Sequence, residues 1–298
     1  MSHAIIIPIY CENRNTINLC NELQNFGAEH IVVVNDGLNP KSEYFNELTS
    51  IGCHLVHLKN NNGKGASLKA GIKYAHDNLY NITGYITCDA DGQHTANDVM
   101  KISRMLDLRN GNLILGKRDY KKSKMPINIR IGNRLSSAYF KVITGKSCRD
   151  TQTGLRGIPA FLYDTVMKTK GSRFDFEMNF LTKCADMRVP FYFVNIIADC
   201  SNCSSNFRLI KDTYLIYRTP LRFATASIGC TIIDLVLFTI FAYILPSHMF
   251  FNIMLATLMA RVVSGGINFL INRKVIFGNT DNGVKQALRF FILFFCIM

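Results

Sequence analysis

Two aspartates separated by one residue, Asp89 and Asp91, stand directly after an apolar run that ends at Cys88, and Gly92 and Gln93 follow them. Carboxylates this close on a loop repel each other, and a hard divalent ion with oxygen ligands resolves the repulsion. Mg²⁺ or Mn²⁺ held there could bridge the pair to a diphosphate. Pro8, Tyr10 and Glu12 follow an earlier apolar run, and Asn35, Asp36 and Gly37 follow another. A single Asp in such a place also serves as a turn or helix N-cap residue. That plainer role is expected for Thr95 and Asn97, where a helix should begin. The stretch from Asn61 to Ser67 contains Gly63, Lys64 and Gly65 but lacks the spacing of a phosphate-binding P-loop. It reads as a glycine turn opening a helix, with Lys64 near the ligand.

Cations are concentrated between residues 117 and 149. Lys117, Arg118, Lys121, Lys122, Lys124, Arg130, Arg134, Lys141, Lys146 and Arg149 lie there, with Asp119 as the acidic residue. Such a segment suits phosphate-bearing partners or an anionic membrane face. Nucleic acid is disfavoured, because aromatic residues are not interleaved with these cations as a stacking surface requires. Arg118, expected at a strand end, is the first choice to hold an incoming phosphate. Arg130 and Arg134, one turn apart on an expected helix, come next.

The elements that must position these residues alternate in type. Short apolar runs at 4–9, 31–35, 54–58, 84–88 and 113–116 read as strands, and the periodic stretches 14–26, 64–77 and 96–108 read as helices. This alternation predicts an α/β domain with a mostly parallel sheet. Ligands of such sheets bind at the carboxyl ends of the strands, where the polar clusters fall.

The chain of 298 residues has a net charge of +13, only 18% charged residues and no Trp. Its mean hydropathy is above zero. This composition excludes a disordered chain, and the diluted cysteines exclude a disulfide scaffold. Cys200 and Cys203 have no second close pair to complete a zinc site and read as reduced thiols. No basic stretch leads into a long apolar core at the N-terminus, so no signal peptide is expected.

The apolar excess lies near the C-terminus. Residues 223–245 contain one charge, Asp234, and at about 1.5 Å per residue reach roughly 34 Å, enough to cross a bilayer core. Residues 250–272 form a second such run with one charge, Arg261, and 290–298 begin a third. Arg208, Lys211, Arg218 and Arg222 precede the first run, and Arg273, Lys274, Lys285 and Arg289 follow the second. By the positive-inside tendency everything before residue 223 is cytoplasmic. Asp234 and Arg261 are costly in a bilayer unless they pair with each other or face a polar path that guides a lipid phosphate.

Ile7-Pro8-Ile9-Tyr10-Cys11-Glu12 resembles the opening strand motif of glycosyltransferase family 2. Val34-Asn35-Asp36-Gly37 resembles its second nucleotide-binding turn, Gly63-Lys64-Gly65-Ala66 its glycine turn, and Asp89-Ala90-Asp91-Gly92-Gln93-His94 its metal-binding segment. Asp150-Thr151-Gln152-Thr153-Gly154-Leu155-Arg156 resembles a signature of the polyprenyl-phosphate branch, which includes dolichyl-phosphate mannose synthase and GtrB-like enzymes. The motifs keep family order. The stretch from Asn268 to Phe277 resembles the GtrA-like membrane family, of whose usual four helices this chain carries two and part of a third.

The resemblance implies a GT-A fold over 1–215 and an incomplete GtrA-like transmembrane domain over 216–298. It implies a UDP- or GDP-sugar donor, a polyprenyl (undecaprenyl) phosphate acceptor, an inverting transfer and a Mg or Mn cofactor. Pro8, Tyr10, Glu12 and Asp36 would hold the nucleotide, with Asp89 and Ala90 beside them. Asp91 and Gln93 would ligate the metal, with Asp89 by the ribose or the metal. Leu38 stands where the family has Ser, and Cys11 where it often has Asn, which leaves base preference open.

Chemistry sharpens this reading. A hydroxyl acceptor needs a general base, whereas a phosphate monoester is already largely an anion at neutral pH. The enzyme then supplies positioning and charge management, with Asp89, Asp91 and Arg118 as the catalytic set. Lys211 and Arg208 could close over the donor diphosphate or meet lipid headgroups, and Glu177 is a candidate for a site role, although a plain amphipathic helix over 173–187 accounts for most of its segment. Lys121, Lys122 and Lys124 are expected to attract a membrane surface. A transferase acting on a sugar or cell-wall hydroxyl would need a base, for which Asp150 is the choice. A transport or scaffold protein with an inactive transferase domain is the reading from another class. A processive synthase is excluded, since its acceptor motif contains Trp. The sequence is compatible with a homo-oligomer.

Overall fold

The computed structural model describes residues 2–118, 127–197, 209–245 and 250–271. The chain divides into two compact units, Met1–Asp212 and Thr213–Met298.

The first unit is built on a seven-stranded sheet. In chain order its strands are β1 (Ser2–Ile9), β2 (His30–Asp36), β3 (His54–Leu58), β4 (Ile82–Thr87), β5 (Leu113–Arg118), β6 (Arg156–Pro159) and β7 (Phe191–Ile196). They lie in the order β3-β2-β1-β4-β6-β5-β7. All described pairings are parallel except those of β6, which runs antiparallel to β4 and β5. The helices are α1 (Arg14–Asn25), α2 (Glu43–Ser50), α3 (Lys64–Asn78), α4 (Ala96–Leu108), α5 (Ile127–Thr144), α6 (Tyr163–Lys168) and α7 (Asp175–Asp186).

Central strands buried on both faces read as continuous apolar runs rather than alternating ones. β1 is such a strand. Its period of two sends Ala4 and Ile6 into one core with Val32, Val34, Leu68, Ile72 and Phe176, and Ile5, Ile7 and Ile9 into the other with Ile17, Leu23, Phe45, Val99 and Ile102. Helices α3 and α7 therefore cover one face, and α1, α2 and α4 the other. Each fully buried isoleucine here contributes about 1.5–3 kcal/mol by burial. Gly71 lets α3 lie close to the sheet, since a Cβ there would meet Ile6 Cγ2 at 2.5 Å and Val34 Cγ2 at 2.7 Å.

The carboxyl ends of β1, β2, β4 and β5 share one edge. The antiparallel β6 brings a loop to that same edge from the opposite direction, because Arg156 at its start pairs with Thr87 at the end of β4. The expected strands and helices agree with the observed ones to within a few residues. The short β6, β7, α2 and α6 were not anticipated.

In the second unit α8 (Leu209–Ile244) begins in the preceding unit, and α9 (Phe250–Ile271) follows. Thr225–Ile244 and Phe251–Ile271 are long and apolar enough to cross a bilayer. The expected Asp234–Arg261 pair does not form. Asp234 Oδ1 instead accepts a hydrogen bond of 2.8 Å from Ser264 Oγ, and Arg261 is exposed. Ser264 is a hydroxyl one turn along α9, which satisfies the carboxylate without a second charge. The run 290–298, the Cys200–Cys203 pair, Arg208, and Lys121, Lys122 and Lys124 lie outside the described residues.

At the amino-terminal edge, His3 ties β1 to α4. Its Nδ1 lies 2.8 Å from Ser103 Oγ and its Nε2 3.3 Å from Asp107 Oδ1. Burial pushes this imidazole below its ordinary 6.5, outweighing the opposing pull of Asp107. The unfolded chain therefore binds the proton more readily, so stability is present above the ordinary value and is lost as pH falls through and below it. Chemical denaturation of the detergent-solubilised chain is expected to lose stability from about pH 7 to about pH 5, and His3→Gln to flatten that loss.

Candidate functional site

Lys64 is the hub of the strand-end edge. Gly63, at φ +93°, turns the chain into α3. Gly65 lets the start of that helix touch the first turn of α7 and the segment before it, where a Cβ would collide with Phe176 Cβ and meet the Arg173 carbonyl oxygen at 2.9 Å. The Ala66 N–H donates to the Ser172 carbonyl over 2.9 Å. This close approach sends Lys64 inward. Its Nζ lies 2.6 Å from Asp89 Oδ1 and 3.0 Å from Glu177 Oε1. Burial alone would lower the lysine's pKa, but the two carboxylates hold it above its ordinary value. Lys64 is thus committed to protein carboxylates, not left free for a ligand as the sequence suggested.

Asp89 is held on three sides. Lys64 grips one oxygen, and His94 Nε2 lies 3.6 Å from the other, an electrostatic rather than a hydrogen-bonded approach. The third side is Gly154. A Cβ there would stand 2.0 Å from Asp89 Oδ2 and 2.5 Å from its Cγ, so no other residue fits without moving the carboxylate. Thr87 Oγ1 pins Gly154 by donating to its carbonyl over 2.7 Å. Burial would push the Asp89 carboxyl up, but Lys64 and His94 hold it well below the usual carboxylate range.

Asp91 has the opposite environment. Burial and the charge of Asp89 both push its carboxyl up. It accepts from neutral donors, the Gln93 N–H at 3.1 Å to Oδ1 and the Gln93 side-chain amide to Oδ2. Among the described residues no group of three or more His, Cys, Asp or Glu could enclose a metal alone. One undercompensated carboxylate beside an amide suits a hard cation that keeps water and substrate phosphate as its other ligands. Asp91 and Gln93 fit that role. Asp89, engaged by Lys64, fits the part of a fixed neighbour better than that of an equal ligand.

Asp36 does something the sequence did not suggest. Its oxygens accept from the Asn62 N–H at 2.7 Å and the Gly63 N–H at 2.9 Å, so it braces the glycine turn. Pro8 is buried at the end of β1 and Tyr10 is exposed just beyond it. Glu12 is exposed in a cleft with Asn13, Arg14, Tyr44 and Glu47. Ala90 lies on the same edge and its carbonyl accepts from Thr16 Oγ1 at 3.1 Å. Thr95 caps α4 as expected, accepting from the Asp98 N–H at 3.2 Å.

Arg118 and Asp150 are paired with each other. Arg118 Nε donates to Asp150 Oδ2 and its Nη2 to Oδ1, each at 2.7 Å, and both side chains are buried. A guanidinium closed in this bidentate pair is not the open cation expected for an incoming phosphate. A fully buried carboxylate so engaged is not a general base either. The pair anchors the 150–155 loop to β5. Arg156 reinforces that loop, donating to the carbonyls of Thr153 at 2.9 Å, Thr151 at 3.2 Å and Glu177 at 3.0 Å. Arg130 and Arg134 are both exposed on α5. The Lys211 side chain lies outside the described residues.

The sequence profile of glycosyl transferase family 2 matches residues 4–164. This chain belongs to that family. The GtrA/DPMS transmembrane domain profile matches residues 222–298, so the family 2 glycosyltransferase is fused to a membrane domain. An uncharacterized protein of Methanocaldococcus jannaschii is 31% identical over 186 residues, which cover 59% of this chain and 73% of the relative. A Methanococcus voltae protein named UDP-N-acetylglucosamine--dolichyl-phosphate N-acetylglucosaminyltransferase is 29% identical over 170 residues, 51% of this chain and 67% of that protein. Mycobacterium tuberculosis glucosyl-3-phosphoglycerate synthase, solved in complex with Mn²⁺, UDP-glucose and phosphoglyceric acid, shares the fold with a TM-score of 0.55 at 11% identity, covering 73% of this chain and 79% of that one.

In this glycosyltransferase the residues that motif reading passed over are Gly154 and His94 as supports of Asp89, and Arg156 as the tie between loop and α7. His94, Gly154 and Arg156 each lie within a recognised motif, but only their partners reveal the role. Two outcomes follow. Gly154→Ala should leave the fold intact and lower donor turnover about 10- to 100-fold by displacing Asp89, as steady-state release of nucleoside diphosphate will show. Arg118→Met should destabilise the protein by about 3–5 kcal/mol in chemical denaturation, because it strands a buried carboxylate.

Proposed function

We propose that this glycosyltransferase moves a sugar from a nucleotide-diphosphate sugar to polyprenyl phosphate at the cytoplasmic face of a membrane. The observation that carries the reading is the unequal treatment of two neighbouring carboxylates. Asp89 is neutralised by Lys64, while Asp91 is left undercompensated on the strand-end edge where ligands of α/β sheets bind. Asp91 and Gln93 would hold a divalent cation, Mg or Mn, which when bound offsets the negative charge of the departing diphosphate. The Mn²⁺ and UDP-glucose bound by the mycobacterial enzyme of the same fold support this assignment.

The protein's own part is then orientation and charge. Asp89, locked by Lys64, His94 and Gly154, presents a fixed acceptor surface to the nucleotide end of the donor, with Pro8, Tyr10, Glu12 and Ala90 along the same edge. Asp36 contributes by bracing the glycine turn. The acceptor phosphate oxygen attacks the anomeric carbon, the bond from that carbon to the diphosphate oxygen breaks, and the nucleoside diphosphate leaves. A phosphate acceptor brings its own anion, so no base is required. In-line attack inverts the anomeric centre. Arg130 and Arg134, exposed one turn apart on α5, would meet the acceptor phosphate. The name of the Methanococcus voltae relative supports a lipid-phosphate acceptor and makes UDP-N-acetylglucosamine the first donor to test.

The hydroxyl-acceptor alternative loses its base in the buried Asp150, and an inactive scaffold has no need of the compensation built around Asp89. The test offers radiolabelled UDP-N-acetylglucosamine, UDP-glucose and GDP-mannose to membranes containing the protein and undecaprenyl phosphate, with Mn²⁺ or with EDTA. Label is expected in an acid-labile lipid with Mn²⁺, with loss in EDTA and in Asp91→Ala. Label appearing only in water-soluble material would overturn the lipid-phosphate acceptor.

A further inference from the structure

Helix α1 turns a hydroxyl toward the loop that carries the two aspartates. Its buried stripe includes Thr16, Cys20 and Leu23, at helical spacing. Aliphatic side chains suit such a stripe, and a buried hydroxyl is costly unless it is hydrogen-bonded. Thr16 is fully buried. A helical threonine commonly bonds its hydroxyl to a carbonyl three or four residues back in its own chain. Thr16 Oγ1 instead donates to the Ala90 carbonyl, 74 positions along the chain, over 3.1 Å.

That carbonyl lies between Asp89 and Asp91 in the chain. It belongs to the planar peptide unit joining Ala90 to Asp91, so fixing it sets the direction in which the backbone enters Asp91. Two neighbouring contacts strengthen the grip. Asn15 packs over Gly92, at φ +85°, where a Cβ would meet Asn15 Nδ2 at 2.7 Å and its Cγ at 3.1 Å. Tyr44 of α2 lies against the Thr16 side chain and donates to the carbonyl of Asn13, the residue that caps α1, over 3.1 Å. The supports of Asp89 act on its side chain, from Lys64, His94 and Gly154. The hydrogen bonds that Asp91 accepts from Gln93 lie within the loop and turn with it. Thr16 and Asn15 tie that half of the loop to a separate element.

We propose that Thr16 is a positioning residue for the cation site, acting through the Ala90 carbonyl to fix the direction of the Asp91 carboxylate. The inference rests on the reading of Asp91 and Gln93 as cation ligands, and it adds a residue that touches neither cation nor donor. Loss of a group that orients a metal's ligands typically lowers affinity about 10- to 100-fold. Thr16→Val keeps the shape of the side chain and removes the donor, so the Ala90 carbonyl loses this partner. Thr16→Ser keeps the donor and removes the methyl.

Mn²⁺ is titrated into the full-length, detergent-solubilised protein without donor or acceptor, and free Mn²⁺ is read from its electron paramagnetic resonance signal. Binding that is lost in Asp91→Ala defines the site. Thr16→Val is expected to raise the Mn²⁺ dissociation constant about 10-fold, and Thr16→Ser to stay within about 2-fold of the unaltered protein. Ile17→Val trims the adjacent buried residue of α1 and controls for a general loosening of that helix. It is expected to leave the constant unchanged. Asn15→Ala, made at an exposed position, loosens the same grip without disturbing the core and is expected to weaken binding less than Thr16→Val does. Donor turnover by Thr16→Val is expected to recover as Mn²⁺ is raised. Unchanged Mn²⁺ affinity in Thr16→Val would overturn the inference, as would an equal loss in Ile17→Val or a serine variant as weak as the valine one. A turnover loss that saturating Mn²⁺ does not relieve would overturn it too and assign Thr16 to another step. Mn²⁺ uptake that does not depend on Asp91 would overturn the cation reading itself, and this inference with it, so the two failures are read apart.

Discussion

Everything at the strand-end edge depends on one buried cation bridging two carboxylates. Lys64 joins the start of α3, the loop after β4 and the first turn of α7 through Asp89 and Glu177. A buried ion pair is costly to form unless its charges are fully matched. Here a single ammonium faces two carboxylates, so the cluster keeps an excess of negative charge. Asp91 lies beside it, and burial together with the charge of Asp89 pushes its carboxyl toward the neutral form. This undercompensated charge suits a divalent cation.

The close approach of these segments has a backbone origin. The glycines at 63, 65 and 154 are each placed where a side chain would collide with Arg173, Phe176 or Asp89. They permit three segments distant in sequence to approach closely enough for short polar contacts. Two buried arginines hold the same segments from behind, Arg118 through Asp150 and Arg156 through backbone carbonyls. Their guanidinium groups hold these segments together.

The membrane unit follows the same economy of charge. Asp234 meets a serine hydroxyl, not the arginine, so the carboxylate keeps one neutral donor within the helical pair. The long apolar faces of α8 and α9 are mostly exposed, as expected of helices whose solvent is lipid.

Periodicity and composition by themselves determined the α/β class, the order of the main strands and helices and the two apolar helices, and residue type marked the paired aspartates. These features are local. A period of two or 3.6, an apolar run of bilayer length and paired Asp residues each leave their mark within one short window. The cluster at Asp89–Asp91 was legible for that reason. The partners of these residues were not. That β6 runs antiparallel, and so delivers Gly154 to Asp89, is a matter of strand direction, for which a four-residue strand carries no signal. That Arg118 closes on Asp150 depends on β5 and the 150–155 loop meeting across 32 positions of chain. That Asp36 holds the glycine turn depends on β2 and β3 lying side by side. Residue type said which side chains could carry charge at the site. Only the tertiary structure decided which of those charges are already neutralised by the protein and which remain for a ligand, because neutralisation is a property of distance, and distance across a sheet is set by the fold.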